Sequence, residues 1–89
     1  MRAVVSVVGK DRPGILAFAA NACADRNINI EDVTQKVLQD LFTMIMIVEI
    51  PEGESNLAKF AEEMEAAGDE QGLKIHVMHD EIFNAMHKI

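Results

Sequence analysis

Eighty-nine residues make one domain, and a chain this short buries only somewhat more than the ~60% of surface expected for a 60-residue domain. Almost half of the residues are hydrophobic, with neither Trp nor Tyr, so Met, Ile, Val and Ala must fill the core. The net charge of −7 and the lone cysteine, Cys23, exclude a phosphate-binding basic surface, an internal disulfide and a cysteine-based zinc site.

The acid excess is local. Residues 1–48 carry five basic and five acidic side chains, whereas residues 49–81 carry ten acids against Lys59 and Lys74. No apolar run approaches the ~18 residues that span a bilayer, and the amino terminus lacks a signal-peptide pattern, so a cytoplasmic protein is expected.

In chain order, RAVVSVV (2–8) reads as a strand. Helical spacing of Ile15, Leu16, Ala19, Ala22 and Cys23 predicts a helix from Pro13 to about Arg26. NINIEDVTQKV (27–37) reads as a second strand whose apolar phase changes between Ile30 and Val33, which predicts a bulge or bend near Asp32. After a short turn at 38–41, FTMIMIVEI (42–50) is the strongest strand in the chain. PEGES (51–55) breaks it. Leu57, Phe60, Ala61, Met64 and Gly68 then mark one face of a helix, with Glu62, Glu63, Glu65 and Asp69 on the wet side and Gly68 and Gly72 bracketing its end. LKIHVMHD (73–80) is a fourth strand. DEIFNAMHKI (80–89) is a short amphipathic helix with Ile82, Phe83, Met86 and Ile89 on one stripe.

The order β-α-β-β-α-β plus a tail predicts an α+β, ferredoxin-like domain over 1–89: a core of 1–80 with a four-stranded antiparallel sheet and both helices on one face, and a helical tail at 81–89. FTMIMIVEI is apolar on both sides, with Phe42, Met44, Met46 and Val48 on one and Ile45 and Ile47 on the other. A half-solvated antiparallel sheet alternates more cleanly. The tail helix and a partner subunit are both expected to cover the second face.

The stretch VVGKDRPGIL (7–16) concentrates turn residues, both charges and a helix start. A plain strand-to-helix turn would use it this way: Gly9 permits a tight conformation, Asp11 or Arg12 caps, Pro13 starts the helix, and Gly14 relieves crowding. A binding loop would use the same residues. Free N–H groups and the positive dipole end of a helix attract an anionic group, Gly14 leaves room for close approach, and Asp11 takes an ammonium. One anion site beside one carboxylate fits a free amino acid better than a phosphate. A ~10 μM affinity for about ten heavy atoms needs close to −0.7 kcal/mol per atom, which demands near-complete enclosure and therefore two copies of so small a sheet.

The pattern G-K-D-R-P-G-I-L between strand and helix, with N-I-N-I opening the second strand, resembles the ACT domain, a regulatory module of amino-acid metabolism. VVGKDRPGI and IFNAMHKI are similar to a group of small stand-alone ACT proteins of bacteria and archaea, and to the ACT halves of glycine-cleavage repressors. The resemblance implies subunits paired side by side through the first strand and first helix, with ligands at the interface. It implies a ligand site of Gly9, Lys10, Asp11, Arg12, Pro13, Gly14 and Ile15, with Asn29 supplied by the partner's second strand. Serine-binding members carry a histidine where this chain has Gly9.

The reading is a non-catalytic, homodimeric or tetrameric sensor of an amino acid or similar small metabolite, with no cofactor, no metal, no nucleic-acid partner and no membrane partner, presenting its bound state to an unidentified protein partner. A ligand-free interaction module is the alternative, and an acylphosphatase-like enzyme using Arg12 is the less favoured one, because Asp11 repels phosphate. His76 and His79, three apart on a strand, point to opposite faces, so with His87 they would hold a metal only between subunits. Cys23 reads as a small core residue.

Overall fold

In the computed structural model, which describes residues 1–52 and 54–86, the chain forms β1 (Arg2–Lys10), α1 (Ile15–Asp25), β2 (Asn29–Leu38), β3 (Leu41–Glu49), α2 (Glu54–Glu70), β4 (Lys74–His79) and α3 (Asp80–Met86). The strands make one antiparallel sheet in the order β2-β3-β1-β4, the ferredoxin-like arrangement expected.

Alternation along the strands selects the core. Ala3, Val5 and Val7 on β1, with Phe42, Met44, Met46 and Val48 on β3, are all within 5% of complete burial and pack with Ile15, Ala19 and Cys23 of α1 and Phe60 and Met64 of α2. At roughly 25 cal/mol per Å² of apolar surface, each of the Val, Ile, Phe and Met side chains among them contributes about 1.5–3 kcal/mol over leaving it exposed. The bulge lies where the phase change put it: the β2–β3 register shifts between Ile30 and Asp32, leaving Glu31 extra, with its carboxylate 3.3 Å from the Arg2 guanidinium.

Both long helices end in the same way. Asn27 (φ 59°) closes α1, its N–H donating to Ala24 O at 3.0 Å while the Ile28 N–H reaches Cys23 O at 2.9 Å. Gly72 (φ 73°) closes α2, with its N–H on Asp69 O at 3.2 Å and the Leu73 N–H on Gly68 O at 2.8 Å. These are Schellman caps, in which a left-handed residue lets two amides satisfy the last carbonyls. As expected, the end of α2 at Glu70 is bracketed by Gly72 and, two residues inside the helix, by Gly68. A Cβ there would stand 2.7 Å from Ile75 Cγ1, so the missing side chain lets α2 lie close on β4.

The second sheet face is covered in part. Val4 is buried to 2% exposure yet stands outside the helix-side core, between half-buried Ile47 and Met78, and α3 packs on β1 and β4 beside it. Toward the other end of the sheet Val8 and Ile45 stay 38% exposed. Phe83 is half-buried as the amphipathic stripe requires, but Ile82 is exposed, since a seven-residue helix lying on a sheet turns only one side inward. Ile89 and His87 fall outside the described residues. Among the described residues no helix is long and apolar enough to cross a membrane.

Candidate functional site

The loop from β1 to α1 differs from the simple turn in three ways. β1 does not stop at Val8: Gly9 and Lys10 continue it, opposite Phe42 and Leu41. Gly9 is not needed for a tight conformation. A Cβ there would meet Leu73 Cδ2 at 2.6 Å, so its bare backbone admits Leu73, and the space that a histidine at this position would require is filled. Neither Asp11 nor Arg12 caps α1 and Pro13 does not start it. The N-cap is Gly14, in the left-handed region at φ 91°, without a side-chain cap bond, and Pro13 lies in the turn before it. Gly14 serves conformation and not crowding, for a Cβ there would meet nothing within 4 Å.

The first intrahelical bond runs from the Phe18 N–H to Gly14 O at 2.9 Å, so the amides of Ile15, Leu16 and Ala17 precede the ladder. No acid stands in the first turn to neutralise the helix dipole. Ile15 is anchored in the core at 2% exposure, whereas Leu16 is 41% exposed, so the turn is fixed on one side and open on the other.

Two other turns brace the loop. The Asp11 N–H donates to Asp40 O at 2.7 Å, in the two-residue β2–β3 turn where Gln39 has φ 58°. Arg12 Nη2 donates to Gln71 Oε1 at 3.3 Å, beside the α2 cap. Asp40, Gln71 and Leu73 were not legible as parts of this region, because chain separations of about thirty and sixty residues carry no local signal. Asp11 itself is exposed, four residues ahead of the first residue of α1.

Asn29 does not join this region within one chain. It opens β2 opposite Glu49, in line with Arg2, whereas the loop follows Lys10, in line with Leu41 and Leu38. The two rows are eight residues apart, about 27 Å along a strand. Nor is β1 available for pairing with another subunit, since β3 and β4 flank it on both sides. Sheets extend only at edges, and the edges are β2 and β4.

At the Asn29 end lies a separate cleft of about 330 Å³, floored by buried Ile28, Ile50 and Phe60 and spanned by Arg26, whose Nε donates to Glu63 Oε1 at 2.7 Å and whose Nη1 donates to Ala22 O at 2.9 Å. Glu63, on the acidic side of α2, is thus a half-buried ion-pair partner. The Cys23 thiol is fully buried, and burial pushes it up to about 11. His76 pairs with Ser6 and His79 with Ala3, on opposite faces, and His79 Nδ1 accepts the Glu81 N–H at 3.1 Å. No group of three potential metal ligands occurs among the described residues.

The ACT domain family model matches residues 2–78. A UPF0237 protein of Methanopyrus kandleri is 46% identical over 88 residues, spanning 99% of this chain and 98% of that protein. The solved structure of an ACT domain protein from Streptococcus pneumoniae is 36% identical with a TM-score of 0.83, covering 93% of both chains. A solved structure described as a putative glycine cleavage system transcriptional repressor shares the fold, with a TM-score of 0.74 at 24% identity over 85% of this chain and 43% of the other. With its loop, sheet order and tail helix, the chain belongs to the ACT domain family of regulatory domains, alongside the small UPF0237 proteins of archaea and bacteria.

Proposed function

We propose that this chain is a non-catalytic, homo-oligomeric amino-acid sensor of the cytoplasm, whose ligand lies on the loop 9–15 of one copy and is closed over by a second. The carrying observation is the open first turn of α1: amides of Ile15, Leu16 and Ala17 ahead of the ladder, no acid of the helix's own, Gly14 leaving free space, and exposed Asp11 four residues before Ile15. A carboxylate takes the amides, an ammonium takes Asp11, and the partner's Asn29 contributes from the far end of its own sheet. Because Asn29 lies about 27 Å away in its own chain, the site requires two copies. A ligand shared by two subunits favours the paired state by its differential affinity, and that population shift is the signal passed to a protein partner.

Calorimetric titration with each of the twenty amino acids tests the reading. At least one gives saturable heat, and Asp11→Ala weakens it tenfold or more, as expected for loss of a charge-assisted bond. Heat from none of them overturns the reading. A ligand-free assembly module is the second reading, favoured by exposed Val8, Leu41 and Ile45 on the open sheet face. Asp11→Ala separates the two, because a scaffold keeps its oligomer and has no ligand to lose.

A further inference from the structure

The cleft at the Asn29 end takes no part in the loop reading. It lies between the carboxy-terminal cap of α1, the end of β3 and the first turns of α2, in line with Arg2 and Glu49 and not with the loop that follows Lys10. Its volume of about 330 Å³ falls at the lower end of the ~300–1,000 Å³ typical of small-molecule sites. Ile28, Ile50 and Phe60 form the floor, each no more than 7% exposed, and Pro51 stands exposed at the side.

Its walls are fixed by bonds within the chain. The Ile50 N–H donates to Met1 O at 2.7 Å, and the Ile50 carbonyl accepts from Met1 N at 2.9 Å. Asn56 Nδ2 donates to Pro51 O and to Glu52 O, both at 3.0 Å, which ties the stretch after β3 to the first turn of α2. On the α1 side Arg26 is held through Nε by Glu63 and through Nη1 by Ala22 O. A pocket held in this way loses little ordering entropy when a ligand enters.

The groups that these bonds leave over are mostly donors. Arg26 Nη2 has no partner among the described residues. Of the two cations in residues 49–81, Lys74 stands 3.5 Å from Asp69, whereas Lys59 has no ion-pair partner among the described residues. Glu63, one helical turn beyond Lys59, is taken by Arg26. The negative end of α1, by contrast, is satisfied: Ala22 O accepts from Arg26 Nη1, Cys23 O from the Arg26 and Ile28 amides, and Ala24 O from the Asn27 amide. Asp25 is exposed at the lip and opposes a second negative charge in the cleft.

We propose that this cleft binds a small monocarboxylate, its carboxylate on Lys59 Nζ and Arg26 Nη2 and its apolar body over Ile28, Ile50 and Phe60. Charge-assisted bonds from two cations fix the acid group, and the stems of Arg26 and Lys59 extend the apolar contact. Asp25 turns away dicarboxylates and phosphates. The site is complete within one chain, so it stands or falls apart from the two-copy loop site.

Titration of hexanoate into the nitrogen-15-labelled full chain, followed by amide NMR signals, tests the assignment. Saturable shifts are expected at Arg26, Ile28, Ile50 and Lys59. Acetate lacks the apolar body, 1-hexanol lacks the charge and adipate adds a second one, so each binds about tenfold or more weakly. Lys59 is exposed, so its variants keep the fold: Lys59→Gln weakens hexanoate about tenfold, and Lys59→Arg retains it. Absence of saturation, 1-hexanol binding as tightly as hexanoate, or an unchanged Lys59→Gln overturns the proposal. So do shifts confined to residues 11–17, which would put the carboxylate on the loop. Norleucine binding in the cleft more tightly than hexanoate would give Asp25 an ammonium to hold and overturns the monocarboxylate class. Hexanoate binding here without amino-acid heat at the loop leaves this site standing and removes the sensor reading alone.

Discussion

The two faces of the sheet are built from the same kinds of residue and end in different states. On the helix face Val5, Met44 and Met46 are sealed to within 1%. On the opposite face Val4 is buried where α3 packs on β1, while Ile45, two residues along β3 from Val4's partner Ile47, and Val8, four residues along β1, remain 38% exposed. Two helices of eleven and seventeen residues close the first face over β1 and β3, leaving Val37 of β2 47% exposed, and a seven-residue helix closes only a corner of the second. The lesson is that apolar sequence reports a demand for burial without naming what meets it. On one face the chain meets that demand itself. On the other it leaves part of it to another surface.

The sharpest way to break this contrast is in the closed core. Met46→Ala is expected to cost about 2–5 kcal/mol in chemical denaturation, as a buried large-to-small change leaves a cavity. A cost under about 1 kcal/mol would mean that the helix face is looser than its burial implies. Gly68→Ala follows, at about 1–3 kcal/mol, since the new methyl must push Ile75 or the Leu73 carbonyl aside where α2 meets β4. The half-closed face is tested by a cycle: Val4→Ala costs about 1–2 kcal/mol in the full chain and clearly less after truncation at Asp80, the difference measuring the cover that α3 gives. Equal costs would show that α3 does not shield Val4. On the open part, Ile45→Thr changes the stability of the dilute chain by no more than about 0.5 kcal/mol.

A further effect is one of pH and appears only in alkali. The folded Cys23 thiol titrates near 11, raised by burial against a weaker lowering by Arg26, above its ordinary value of 9.0. Stability from keeping the thiol neutral is therefore full below pH 9 and is lost as pH rises from 9 toward 11. Cys23→Ala flattens that part of the stability profile, and native Cys23 stays inert to thiol reagents at pH 7. Rapid labelling of the folded chain would contradict its burial.

Element type was legible along the described residues, because periods of 2 and 3.6 are local. So was the bulge, since a phase slip between Ile30 and Val33 admits no regular pairing. The site was legible only as a stretch. Gly9 read as a turn residue and proved to be a strand residue making room for Leu73. Pro13 read as the first residue of the helix and proved to precede a glycine N-cap, because Gly14 takes a left-handed conformation open to few other residues.

By itself the amino-acid order determined the seven elements, most of the face that α1 and α2 bury and the surplus of apolar residues on the second face, all consequences of periodicity and side-chain type. Tertiary structure alone decided that β1 is an inner strand, that Asp40 and Gln71 brace the loop, and that Asn29 stands at the far end from Asp11. These depend on which strands lie side by side, a matter of long-range packing that no local pattern encodes.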